Sequence, residues 1–123
     1  IVAIIAYAPV KSNAKFRANI NVVARELPEE TPLDILFEMN KQEILQKLPG
    51  SKEDVSEGEV VAAKDKGKWR TFTTKVQDLT LKNTVVTWIK NRRAYVLNYI
   101  AEKNDFPLYE PFFKKAVQTF RIK

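Results

Sequence analysis

Hydrophobic residues follow two different spacings along this chain, and the spacing predicts where strands and helices lie. Runs rich in β-branched and aromatic residues, bounded by polar breaks, predict strands. Apolar residues three and four positions apart predict helices. The predicted strands are 1–8, 19–25, 59–64, 68–77, 84–89 and 94–101. The predicted helices run from Thr31 to Leu48 and from a cap at Asn104 and Asp105 to Phe120.

The chain is predicted to be organised around a central hairpin. Its two strands, 84–89 and 94–101, are separated by the short polar break 90–93, which is typical of a hairpin turn. A second tight turn is predicted at 65–67, because Gly67 accepts positive φ at little cost. A polar bend over 78–83 is predicted to lead into the hairpin.

The first helix carries start and stop signals. Thr31 can cap it, Pro32 suits its first position, and Asp34 favours its positive end. The segment 49–50, Pro followed by Gly, ends it. One face of this helix is apolar and is predicted to pack on the sheet: Leu33, Leu36, Phe37, Ile44 and Leu48.

Two further apolar residues, Ile35 and Met39, lie four apart on the other face of this helix. They are interpreted either as partly covered by a loop or as a contact patch. Single apolar residues on a surface are common, so the pattern favours the loop.

The last helix has an apolar stripe that follows the period of 3.6 residues. We expect this whole stripe to pack on the sheet, because aromatic residues at helical spacing more often form core than a groove. The stripe consists of Tyr109, Phe112, Phe113, Ala116, Val117 and Phe120.

Composition limits the chemistry that the 123 residues can support. There are no Cys and no His, which excludes Cys/His zinc sites, disulfides and histidine-based catalysis. The loop 51–58 carries three acidic residues but lacks EF-hand spacing, so it is interpreted as solvated, and no metal or cofactor is predicted. No apolar run is long enough to span a membrane.

Catalysis and nucleic-acid binding are kept as alternatives. The pair Glu57 and Glu59 suggests a hydrolase with a carboxylate site, but ordinary solvation at a strand edge is the favoured explanation. No catalytic residue and no small-molecule substrate is predicted. The net charge of +6 and four aromatic residues suggest a nucleic-acid surface. Packing in a strand-rich core is the favoured role for those four: Trp69, Trp88, Tyr95 and Tyr99.

Topology predicts a cluster of basic residues, the basic pole, at one end of the sheet. Alternate turns of an antiparallel meander lie at the same end, and the last helix returns there. The pole consists of Lys64, Lys66, Lys68, Lys90, Arg92, Arg93, Arg121 and Lys123. It is interpreted either as solvated turn tips or as a docking surface for an acidic protein or an anionic lipid surface.

Five short segments carry a resemblance to a known family: 16–22, 48–50, 94–99, 109–113 and 119–122. They resemble segments of DcrB-like proteins, which are relatives of PsbP proteins and of Mog-type Ran-binding proteins. The resemblance implies an α+β fold, an α/β/α sandwich around an antiparallel sheet of about six strands, with a mid-chain helix and a C-terminal helix. The chain is then one domain over 1–123, lacking an N-terminal strand segment that relatives carry before Ile1.

The resemblance also implies a class of function. Known relatives are mainly non-enzymatic: envelope lipoproteins, photosystem subunits, secretion-effector chaperones and a nuclear-transport factor. We therefore expect a protein-interaction or assembly module that is exported or lies in the cell envelope, with a cytoplasmic location as the alternative. The predicted partner is another protein or an anionic surface. Self-association through the apolar strand 1–8 is also predicted, because an unpaired edge invites pairing between chains.

Overall fold

The computed structural model describes residues 2–7 (backbone only), 16–48, 51, 55–62 and 64–122. Over these residues the chain forms six strands and two helices. The strands are β1 (Val2–Tyr7), β2 (Asn19–Glu26), β3 (Ser56–Ala62), β4 (Asp65–Val76), β5 (Leu79–Lys90) and β6 (Arg93–Glu102). The helices are α1 (Leu33–Lys47) and α2 (Phe106–Thr119).

All six strands form a single antiparallel sheet in the order β1-β2-β6-β5-β4-β3. Strands β3 to β6 are consecutive in sequence and adjacent in space. The N-terminal pair joins the other side of β6, where Val22 lies opposite Leu97. The predicted α+β class and the antiparallel sheet of about six strands are confirmed.

The two helices cover opposite faces of the sheet, because side chains alternate between faces along each strand. Helix α2 packs on the face that carries Val86, Trp88 and Leu97. On the other face, Leu36 of α1 belongs to a small buried cluster with Ala94. The predicted α/β/α sandwich is therefore confirmed.

Two predicted turns are displaced along the chain. The predicted turn at 65–67 lies inside β4, because Asp65 already pairs with Ala62 and Gly67 pairs with Trp88. A Cβ on Gly67 would lie 2.6 Å from Nε1 of Trp88, so this glycine makes room for a ring instead of making a turn. The bend predicted over 78–83 is confirmed only at Asp78, which forms the β4–β5 turn together with Gln77; residues 79–83 are strand, since β5 begins at Leu79.

The central hairpin is confirmed, with a turn of two residues. Asn91 and Arg92 both have positive φ, 53° and 60°, which is the conformation of a type I′ turn. This turn matches the right-handed twist of the strands that flank it. Strands β5 and β6 therefore extend to Lys90 and Arg93, inside the predicted break 90–93.

The boundaries of α1 differ from the prediction at both ends. Thr31 does not cap the helix, because its hydroxyl donates to the carbonyl oxygen of Glu29 at 3.3 Å. The helix begins at Leu33, directly after Pro32, and ends at Lys47, one residue earlier than predicted. Strand β3 begins inside the predicted loop 51–58, whose residues 52–54 lie outside the described part of the chain.

Helix α2 confirms most of the apolar stripe and corrects one member. Phe113 and Val117 are buried, and Tyr109, Ala116 and Phe120 pack against the same core. Phe112 is 68% exposed, so its predicted place on the sheet is wrong. The predicted stripe covers a wider arc of the helix than the sheet can contact, and Phe112 lies about 100° around the axis from Phe113.

Candidate functional site at the C-terminal helix

Aromatic contacts at both ends hold α2 on the sheet. The hydroxyl of Tyr99 donates a 2.6 Å hydrogen bond to the carbonyl oxygen of Phe106 at the start of the helix. Burial raises the pKa of Tyr99 well above its ordinary value, so the hydroxyl remains a donor. At the other end, Phe120 stacks on the ring of Trp88, with centroids 4.6 Å apart. Between these anchors α2 presents two flanks.

One flank of α2 borders a cleft above strands β3 to β5. The cleft encloses about 450 Å³. Its apolar lining consists of Val60, Trp69, Val86, Phe113 and Val117. The helix and three strands together therefore build a concave, largely apolar space on the surface of the domain.

Polar and charged groups are also placed in this cleft. The hydroxyls of Thr71 and Thr84 are hydrogen-bonded to each other at 2.9 Å. Lys82 lines the cleft, and its Nζ lies 4.8 Å from the centroid of the Phe106 ring. Glu110 and Lys114 face each other along α2 at 4.0 Å, the outer limit of an ion pair. The cleft can thus hold a ligand that is partly apolar and partly charged.

The other flank of α2 exposes two large apolar side chains. Leu108 is 55% exposed and Phe112 is 68% exposed. The two lie one helical turn apart, and each is about 200° around the axis from the cleft-lining residue two positions later, Glu110 or Lys114. We call Leu108 and Phe112 the outer flank. In the sequence this flank is indicated by apolar residues that cover a wider arc of the helix than one contact with the sheet can bury.

The structure brings part of the predicted basic pole together and pairs its members internally. Lys90 lies 3.5 Å from the carboxylate of Asp65, so the two turns lie at the same end of the sheet. Lys68 pairs with Asp34 of α1, on the face of the sheet that α1 covers.

Both arginines at the β5–β6 turn are also bound within the chain. Arg92 donates to the carbonyl oxygens of Leu27 and Pro28 at 3.3 and 2.8 Å. Arg93 pairs with Glu26 at 3.1 Å.

The remaining members of the basic pole are placed as follows. Lys64 is exposed in the β3–β4 turn, and Lys66 is exposed near the start of β4. Arg121 donates to the carbonyl oxygens of Gln118 and Phe120 at the end of α2. Lys123 lies outside the described residues. Three of the eight side chains, Lys68, Lys90 and Arg93, pair with carboxylates, so the pole presents less free charge than its sequence indicates; docking through it stays a prediction.

The predicted apolar pair on α1 is exposed. Ile35 is 54% and Met39 is 61% exposed, and each lies about 200° around the helix axis from the buried Phe37. Whether the pair forms a contact patch stays a prediction. It lies on the opposite side of the sandwich from the outer flank of α2.

The carboxylate pair proposed for a hydrolase lies on β3, beneath α1. Glu57 accepts a 3.1 Å hydrogen bond from Nε of Arg70, and Lys41 lies 3.4 Å from the same oxygen. The hydrogen bond from Arg70 holds the pKa of Glu57 below its usual range. A carboxylate kept ionised in this way is poorly suited to act as a general acid.

The aromatic residues considered for stacking on bases are placed in the core or the cleft. Trp88 and Tyr99 are fully buried under α2. Trp69 lines the cleft, and Tyr95 packs edge-on against Phe120. Among the described residues, no group of three acidic side chains is placed to hold a metal ion. No helix in the described part of the chain has the length and apolar character needed to cross a membrane.

Comparison with known proteins identifies the fold. The chain matches PA94 of Pseudomonas aeruginosa, a protein of unknown function, with a TM-score of 0.86 and 15% identity over 99% of this chain and 83% of that one. It matches CyanoP, the cyanobacterial PsbP of Synechocystis sp. PCC 6803, with a TM-score of 0.63 and 9% identity over 98% and 82%.

A third solved structure has the same arrangement. LpqN, which is involved in cell envelope biogenesis of Mycobacterium tuberculosis, matches with a TM-score of 0.58 and 12% identity over 94% of this chain and 76% of that one. No protein-family model matches the chain, and no curated protein matches it in sequence. The PsbP-like fold implied by the resemblance is confirmed, and at these identities the likeness concerns fold alone.

Proposed function

We propose that this protein is a non-enzymatic binding module of the cell envelope, and that it holds an apolar segment of a partner protein against the outer flank of α2. The observation that carries the proposal is the exposure of Phe112, 68%, with Leu108 one turn away at 55%. Adjacent exposed apolar side chains are typical of protein-interaction sites. Aromatic residues are enriched among the anchors that contribute most to binding.

The chemistry of the chain supports a binding role over catalysis. The sequence has neither His nor Cys to serve as base, nucleophile or metal ligand. The hydroxyl of Ser51 is committed to the carbonyl oxygen of Ile44, at 3.1 Å. Glu57 is committed to Arg70. Because these polar groups are engaged in contacts within the fold, they are poorly placed to act as catalytic groups.

The envelope location is supported by one protein that has this fold. LpqN is involved in cell envelope biogenesis. Fractionation of the host, with the protein detected in envelope or cytoplasmic fractions, tests this part separately from binding. Recovery in the cytoplasm alone would reject the envelope location. Binding at the outer flank would then be tested separately.

The binding proposal is tested by photocrosslinking in the host. A photoreactive phenylalanine analogue replaces Phe112 in one strain and Met39 in another. The crosslinked partner is identified, purified and titrated with the wild-type protein and with the variants Phe112→Ser and Met39→Ser. Both variants remove one exposed apolar side chain, from opposite sides of the sandwich.

We expect Phe112→Ser to weaken binding of the purified partner at least about tenfold, as loss of an anchor does, and Met39→Ser to leave it unchanged. Loss of binding in Met39→Ser alone would reject the outer flank and assign docking to the patch Ile35 and Met39. If the wild-type protein converts a substrate to product and both variants keep this activity, a purely binding function is rejected.

A further inference from the structure

We propose that the cleft between α2 and strands β3 to β5 binds a small amphipathic carboxylate. In this site Lys82 holds the carboxylate, while Trp69 and Phe113 enclose the apolar part of the ligand. The cleft and the outer flank lie on opposite sides of α2. The proposal therefore does not depend on the docking of a protein partner.

The size and lining of the cleft are those of a small-molecule site. Its volume of about 450 Å³ falls in the range of such sites, which are mostly apolar with a few placed polar groups. The rings of Trp69 and Phe113 form its aromatic walls, and Val86 and Val117 add aliphatic surface. An apolar tail entering this space would lose its contact with water, which favours binding.

The charge of the cleft selects an anion. Lys82 has no carboxylate partner among the described residues, and its ammonium lies near the Phe106 ring, where α2 begins. Lys114 adds a second positive charge, and Glu110, 4.0 Å from it, adds one negative charge. The lining groups thus leave an excess of one positive charge, carried by Lys82, which a single carboxylate would match.

Hydroxyl groups complete the polar side of the site. In the 2.9 Å contact between Thr71 and Thr84, one hydroxyl donates and the other accepts. The accepting hydroxyl has its own proton to donate to a carboxylate oxygen. A neutral ligand of the same shape would use the apolar walls but would gain nothing from Lys82. This difference separates the proposal from simple hydrophobic adsorption.

Octanoate and 3-phenylpropanoate are the probes, titrated into the purified wild-type protein. The emission of Trp69 reports entry into the cleft, because this ring lines it, whereas Trp88 is fully buried. We expect saturable binding and loss of most of the signal in Trp69→Phe. Lys82→Gln is expected to weaken binding about tenfold or more, the usual size of one charge-assisted hydrogen bond.

Matched controls distinguish binding in the cleft from binding elsewhere on the protein. Lys66→Gln removes an exposed lysine near the start of β4, outside the lining of the cleft, and should bind as the wild type does. Octan-1-ol has the tail without the charge and should bind more weakly than octanoate. Phe112→Ser should bind octanoate normally even if it no longer binds the partner protein, which keeps the two proposals distinguishable.

Three results would overturn the proposal. One is equal affinity of Lys82→Gln and the wild type for octanoate. Another is octan-1-ol binding as tightly as octanoate. The third is binding of octanoate that does not saturate by about 10 mM, because even a weak specific site would be filled at that concentration.

Discussion

Two glycines in the sheet each face an indole ring on the neighbouring strand. Gly67 lies opposite Trp88, and Gly58 lies opposite Trp69. An added Cβ would lie 2.6 Å from Nε1 of the facing ring in both cases. The two rings differ in freedom, because Trp88 is fully buried under α2 whereas Trp69 borders the open cleft.

The same substitution should therefore cost different amounts at the two glycines. Gly67→Ala should destabilise the fold by about 1–3 kcal/mol, the usual cost of overpacking a core. Gly58→Ala should cost less than about 1 kcal/mol, because Trp69 can shift toward the cleft. Urea denaturation of both variants measures the difference, and equal costs would mean that Trp69 is held as firmly as Trp88.

Tyr99 should make stability depend on alkaline pH. Its hydroxyl has a pKa near 10 in an unfolded chain, and burial raises the pKa in the folded state. Above about pH 10 the unfolded chain loses this proton while the folded protein keeps it, so stability falls as pH rises. Below that pH the contribution of the buried hydroxyl is fully present.

The variant Tyr99→Phe isolates this effect. It should cost about 1 kcal/mol at neutral pH through loss of the hydrogen bond to Phe106. The gap between wild type and variant should shrink above about pH 10, since only the wild type carries the ionising hydroxyl. Urea denaturation from neutral to alkaline pH measures the gap, and a constant gap would contradict the raised pKa.

At the scale of one element, α2 separates structural from exposed aromatic residues. Phe113 is 4% exposed, and its ring lies 5.3 Å from that of Tyr99. Phe113→Ala should cost about 3–5 kcal/mol, the range for removing a large core side chain. Phe112→Ala, one residue away, should change stability by less than about 0.5 kcal/mol. Similar costs in chemical denaturation would show that Phe112 is packed in the core as Phe113 is.

The strands and helices are predictable because each has a local pattern. The hairpin turn at Asn91 and Arg92 follows from a polar break between two apolar runs. Gly67 misleads because glycine is typical of turns, whereas its role depends on Trp88, 21 positions away in the sequence. The residues next to Gly67 in the sequence do not indicate that the ring of Trp88 faces it from the next strand.

The candidate site is less predictable than the fold. The cleft takes Val60 from β3, Trp69 from β4, Lys82 from β5 and Glu110 from α2. No sequence window contains more than a fraction of these residues, and only the order of the strands brings them together. The sequence pattern wrongly places Phe112 in the contact with the sheet. The helical period shows which residues lie on the apolar side of the helix, but three-dimensional packing decides which of them touch the sheet.

At the scale of the whole molecule, the two edges of the sheet differ in how well they are protected from pairing with another chain. Strand β3 carries Glu57 and Glu59 at one edge, and charged side chains discourage pairing between chains. Strand β1, at the other edge, has the sequence VAIIAY, which contains no charge. Among the described residues no strand pairs with the outer side of β1.

We expect any self-association to run through β1. The mass measured by light scattering should rise with protein concentration, and Ile4→Lys should abolish the rise by placing a charge on this edge. Val61→Lys, a matched change on β3, should leave the rise unaltered. A constant monomer mass for the wild type at high concentration would reject association through the edge.

The position of β2 beside β6 has a consequence for how the chain reaches its fold. Strands β3 to β6 pair with their sequence neighbours, so this part can form through short loop closures. Pairing Val22 with Leu97 closes a loop of about 75 residues, whose entropic cost is higher. The N-terminal hairpin should therefore be the last part of the sheet to form and the first to open, and its amide protons should exchange with solvent before those of β5.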